Sequence, residues 1–157
     1  MLYVRIIIFV ILIVYLVMSF FFVHISLRYS QQLKMSQEKI YNLFAGQLAL
    51  FKLLAKETNW HSKGEEDITL LLQERKLSEL NKLVGERDQT LRIALKECGK
   101  LSQTVSTILK GIDENVTLIR NEIYRHNKIV DNINVNTDSI IFSIFVVILK
   151  LKKLPKI

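Results

Sequence analysis

Residues 2–23 read LYVRIIIFVILIVYLVMSFFFV, an apolar run whose only charge, Arg5, lies near its outer end. About twenty residues at ~1.5 Å each span roughly 30 Å, the thickness of a bilayer's hydrocarbon core. A lone segment in lipid must be helical, because only a helix satisfies every backbone group internally. The pattern predicts a membrane anchor over residues 1–25. Beyond it, apolar residues recur at Met35, Ile40, Leu43, Phe44, Leu48, Phe51 and Leu54, a three-and-four spacing that predicts an amphipathic helix. Nothing between Val23 and Ile40 would stop a helix, so one helix is expected to run from the anchor to about Thr58.

The first break is Asn59-Trp60-His61-Ser62-Lys63-Gly64, followed by Glu65, Glu66 and Asp67. Ser62 is positioned to cap the next helix, with acids in its first turn favoured by the dipole. Trp60 reads as a packing residue at the end of a bundle. From Ile68 the pattern resumes. Leu77, Leu80, Val84, Leu91, Leu95, Cys98, Leu101, Val105, Ile108, Ile112, Val116, Ile119, Ile123, Val130 and Ile133 lie mostly three or four residues apart, with Arg87 falling on the stripe. Such a stripe is a coiled coil or the seam of a bundle. Gly85, Gly99 and Gly111 offer places to turn, and two or three helices folding back on the first are expected. The fold class is all-α: an N-terminal transmembrane helix continuing into an elongated antiparallel helical bundle. Residues 1–25 form the anchor, 26–138 the bundle or coiled-coil domain, and 139–157 an apolar segment with a basic tail. Residues 139–149 are apolar on all sides but short for a span. Packing into the bundle, lying at the membrane surface and crossing the membrane are all open readings.

Composition changes this picture little. The chain has 157 residues with five glycines and one proline, Pro155, which favours long helices. The net charge of +7 is not accompanied by basic clusters with interleaved aromatics or by a nucleic-acid motif, so no nucleic-acid partner is expected. Attraction to anionic headgroups is the better reading, and the densest basic cluster is Lys150, Lys152, Lys153 and Lys156. The single cysteine, Cys98, excludes an intrachain disulfide and reads as a small buried hydrophobe. Phe20, Phe21, Phe22, Val23 and His24 offer no small-x-small cleavage site, so the anchor is read as uncleaved. Arg28, Lys34 and Lys39 follow the span against one acid, Glu38, and the positive-inside rule then directs the bulk of the chain to the cytoplasm.

No catalytic constellation is visible. His24, His61 and His126 are not paired at metal-ligand spacing, and there is no glycine-rich phosphate loop or G-x-S-x-G elbow. No catalytic, cofactor-binding or metal-binding residues are expected, and no cofactor. Asn115-Val116-Thr117 matches a glycosylation sequon, but Val116 lies on the core stripe.

The C-terminal end carries a resemblance. His126-Asn127, Val130 and Ile133-Asn134 follow the spacing of the LemA family's signature of two Tyr-Asn pairs flanking a valine. Without a gap, 140–146 then fall on that family's apolar stretch, and Leu149-Lys150-Leu151-Lys152 on its terminal motif with Pro155 in register. Tyr29-Ser30 stands where the family has Tyr-Asn after the span, and Leu50-Phe51-Lys52-Leu53-Leu54 near the place of its Leu-Ile-Pro-Asn-Leu. His126 and Ile133 replace both tyrosines, Ile140-Ile141 replace a Phe-Pro, and Lys150 replaces a glycine. The chain thus resembles a divergent LemA family protein. The resemblance implies a helical bundle on a bacterial inner membrane and supplies no catalytic residues. The expected function is a membrane-anchored scaffold that is not an enzyme, with the lipid bilayer and another protein or a second copy as partners. The rivals are a phage-type lysis protein, spanin or holin, and a divisome-type bitopic coiled-coil protein. Both a spanin and a divisome protein place the coiled coil outside.

Overall fold

The computed structural model describes residues 2–58, 65–97, 102–138 and 153–157. Four helices account for nearly all of them: α1 (Leu2–Thr58), α2 (Glu65–Gln73), α3 (Leu77–Glu97) and α4 (Gln103–Asp138). No strand occurs among the described residues, and the fold is all-α. α1 is one unbroken helix of 57 residues, ending where the first polar break was expected. The Trp60, Ser62, Gly64, Cys98, Gly99 and Leu101 readings, and the open question of residues 139–149, lie outside the described residues.

The chain forms two compact units. One comprises Ser36–His126 with Ile157. Its core is the predicted stripe: Ile40, Phe44, Leu48, Phe51 and Leu54 from α1, Ile68 from α2, Leu77, Leu80, Val84 and Leu91 from α3, and Val105, Ile112 and Ile119 from α4. Side-chain partners set the direction of the pairing. Ser36 meets Glu122, Leu43 and Gln47 meet Asn115, and Leu50 lies against Gly111. Rising numbers on α1 match falling numbers on α4, so the two run antiparallel. Arg92 of α3 bonds Asp113 of α4, and Val84 shares a hollow with Ile119 and Ile123, which makes that pair antiparallel as well.

Of the glycines offered as places to bend or turn, Gly85 and Gly111 lie inside α3 and α4 and make no reversal. The reversal between α2 and α3 is made at Glu74, Arg75 and Lys76 instead. The Lys76 amide donates to the Leu71 carbonyl at 3.1 Å, the six-to-one bond that closes a Schellman cap. Arg75 takes the left-handed position at φ 55°, where glycine is usual. The penalty for a residue with a Cβ is roughly 1–2 kcal/mol. Contacts to α1 offset it. Arg75 Nη1 donates to Glu38 Oε1 at 2.7 Å, its guanidinium lies 5.6 Å from the Tyr41 ring centroid, and the Tyr41 hydroxyl donates to the Arg75 carbonyl at 2.6 Å. α4 begins on a conventional cap, with the Val105 amide donating to Ser102 Oγ at 3.2 Å.

The other unit comprises Met1–Met35 with Asn127–Lys156. From Tyr3 to Met18 the large apolar side chains of α1 are all exposed. This is the one helix among the described residues that is long and apolar enough to cross a membrane. Phe22 and Val130 are buried in this unit. The tail returns to α4. Asn134 Nδ2 donates to the Leu154 carbonyl at 3.1 Å, and the Leu154 amide donates to Asn134 Oδ1 at 3.0 Å. Lys156 pairs with Asp131 at 2.8 Å.

Candidate functional site

The most concentrated polar chemistry lies between α1 and α4 in the unit Ser36–His126. Both helices arrive there with a polar residue on their inward stripe. On α1, Ser36 sits four residues before Ile40 and is fully buried. This corrects the apolar pattern, since Met35, counted on the stripe, is 69% exposed and Ser36 takes the inward place. On α4, Glu122 and His126 lie one turn apart, and both are buried.

Glu122 is the hub. Its Oε1 accepts from Ser36 Oγ at 2.9 Å and from Arg125 Nε at 2.9 Å, and its Oε2 lies 3.0 Å from Lys39 Nζ. Burial alone pushes this carboxyl up, because the charged form loses water. The hydrogen bonds from Lys39, Ser36 and Arg125 outweigh that and hold it below the usual carboxylate range. The group is therefore an anion at neutral pH. His126 is governed by the opposite balance. Burial pushes its imidazole down more strongly than the Glu122 charge pulls it up, which keeps the ring neutral. Its Nδ1 is buried without a hydrogen-bond partner among the described residues.

Two turns further along, Asn115 Nδ2 donates to the Leu43 carbonyl at 2.9 Å and to Gln47 Oε1 at 2.8 Å. Gln47 is fully buried, and its Nε2 has no partner among the described residues. Asn115 is the sequon asparagine, and its amide is thus engaged inside the bundle. Arg87, the charged residue on the predicted stripe, is buried there. At the far end, Arg92 bridges Asp88 and Asp113 beside an open hollow of about 500 Å³ lined by Leu91, Leu95, Leu109 and Ile112. The two carboxylates push the Arg92 guanidinium further up, so it stays charged.

This arrangement is suited to fixing helices against one another. The Ser36 hydroxyl is fully buried and donates to the Glu122 carboxylate of the facing helix. No group of His, Cys, Asp and Glu among the described residues can hold a metal ion. His24 stacks on Phe20 of α1 with ring centroids 6.5 Å apart, His126 is buried beside Glu122, and His61 lies outside the described residues.

Sequence reasoning about apolar positions missed Ser36, Gln47, Glu122 and the tail clasp at Asn134. For the first two the signal was present, because each continues the three-and-four spacing of Ile40, Phe44 and Phe51. Compared with models of known protein families, with curated proteins and with solved structures, the chain matches none.

Proposed function

We propose that the chain is a membrane-anchored helical scaffold of the LemA type. It is set in a bacterial inner (plasma) membrane by residues 1–25, with its bundle in the cytoplasm, and acts by binding another protein or a second copy without catalysis. The observation that carries this reading is α1. A stretch of exposed apolar side chains, long enough to cross a membrane, continues in one helix into the face on which the bundle core is built. The polar interior points the same way, since Glu122, Asn115 and Arg92 spend their hydrogen bonds on joining helices. The tail clasp, Asn134 bonded to the Leu154 backbone, likewise serves to hold one part of the chain to another.

The test is topological. A reporter fused after Ile157, one that works only in the cytoplasm in one version and only outside in the other, is expected to be active in the cytoplasmic version. Thiol labelling of Cys98 in intact cells should then require permeabilisation, with the unfolded protein as the control for reactivity. Activity of the outside version, with Cys98 labelled in intact cells, would overturn the cytoplasmic scaffold in favour of the lysis or divisome readings.

A further inference from the structure

The unit that carries the apolar helix also gathers cations from three separate stretches of chain. Outside the span its described residues hold Arg28 and Lys34 on α1, Lys128 on α4, and Lys153 and Lys156 in the tail, against the acids Asp131 and Asp138. Asp131 is engaged with Lys156. Arg28, Lys34 and Lys128 are exposed, and no described acid pairs with any of them.

Helical rise places Arg28 about 8 Å and Lys34 about 16 Å beyond Val23. The headgroup layer beyond the hydrocarbon is roughly 5–8 Å deep on each side. Arg28 therefore stands at the outer edge of the headgroup layer and Lys34 roughly 8 Å beyond it, about one Debye length at physiological salt. Lys128 and the tail lysines lie some hundred residues later in sequence. They reach this unit through α4 and through the Asn134–Leu154 clasp, which holds the tail backbone to the helix.

We infer that this unit binds anionic lipid, with Arg28, Lys34 and Lys128 as an unpaired cationic collar for headgroup phosphates and the clasped tail held beside them. The inference rests on the membrane-anchor reading above and names the lipid class it selects. A surface-bound cation near an anionic leaflet is worth roughly a fivefold gain in affinity. The attraction weakens once the Debye length shrinks to about 3 Å at molar salt.

The experiment uses the full chain reconstituted in vesicles of phosphatidylcholine mixed with phosphatidylglycerol. The phosphatidylglycerol to phosphatidylcholine ratio that remains with the protein after gentle extraction is read by native mass spectrometry. The expected result is enrichment of phosphatidylglycerol over the bulk ratio at low salt and loss of that enrichment at high salt. The triple variant Arg28→Gln, Lys34→Gln, Lys128→Gln should lose it tenfold or more while keeping its helical circular dichroism. A retained ratio equal to the bulk, enrichment indifferent to salt, or a folded triple variant that binds phosphatidylglycerol like the parent would overturn the inference. The salt arm on the unaltered chain decides the matter if the variant does not fold. Resistance to alkaline carbonate extraction is measured in parallel. A chain that washes off the vesicles refutes the anchor itself, a failure distinct from indifference to lipid charge.

Discussion

Glu122→Ala is the most informative single substitution in the bundle. It leaves the fully buried Ser36 hydroxyl without its acceptor, and an orphaned buried donor costs about 1–3 kcal/mol. It also frees Lys39 and Arg125. Their side chains are 61% and 56% exposed, so water takes over much of the interaction and each pair contributes only about 0.2–1 kcal/mol. The sum is a loss of about 1.5–5 kcal/mol. In a domain of this size that lowers the melting temperature by roughly 5 °C or more. The measurement is thermal unfolding of the full chain in detergent, followed by circular dichroism at neutral pH. The reasoning makes a second demand. If the orphaned hydroxyl carries much of the cost, then adding Ser36→Ala to Glu122→Ala must recover about 1 kcal/mol, although Ser36→Ala alone destabilises. The pH dependence has a fixed sign. The folded carboxyl is depressed below its ordinary value of 4.5, so its contribution is fully present above that pH and is lost as the pH falls through the folded value. The gap between parent and Glu122→Ala should therefore close in acid. Simple additivity of the two substitutions, or a single variant that melts with the parent, would refute this account of the seam.

Ile112 is 1% exposed and Ile108 packs against the same core, so Ile108→Asp with Ile112→Asp should abolish cooperative unfolding and collapse the bundle's share of the helical signal; an unchanged spectrum would count against the bundle. A Cβ at Gly85 meets nothing within 4 Å, so Gly85→Ala should stabilise by about 0.5–1 kcal/mol through helix propensity, read as a higher denaturant midpoint. The folded His126 is depressed below 6.5, so the unfolded chain binds the extra proton and stability falls as pH drops below about 6.5. His126→Gln should flatten the melting temperature between pH 7 and pH 5, and an unaltered slope would assign that titration elsewhere.

The apolar pattern made α1 legible to its last residue, because a continuous run followed by a three-and-four stripe admits no competing element. The same spacing located the core of α3 and α4, including the buried Arg87. Hydrophobicity, unlike spacing, failed where a polar residue was inward by virtue of a partner 86 positions away, as with Ser36 and Glu122, because hydrogen bonding replaced it as the reason for burial. Met35 was misread for the complementary reason, since hydrophobicity alone assigned it a face that phase denies it. The α2–α3 reversal was hidden because Arg75 fills a glycine's backbone position with a side chain that answers to α1. The clasp at Asn134 had no periodic signature, as its partner is the backbone of Leu154.

That reversal has a kinetic meaning. A hairpin closed by glycine can form on its own and wait for the rest of the chain. Here the left-handed arginine is strained in isolation, and Glu38 and Tyr41 relieve it only once α1 is in place. α2 and α3 pack on each other through Ile68, Leu77 and Leu80, but the turn that joins them should settle only with its docking on α1. In a folding experiment Arg75→Gly would accelerate local hairpin closure while speeding unfolding, which separates the order of assembly from its final stability.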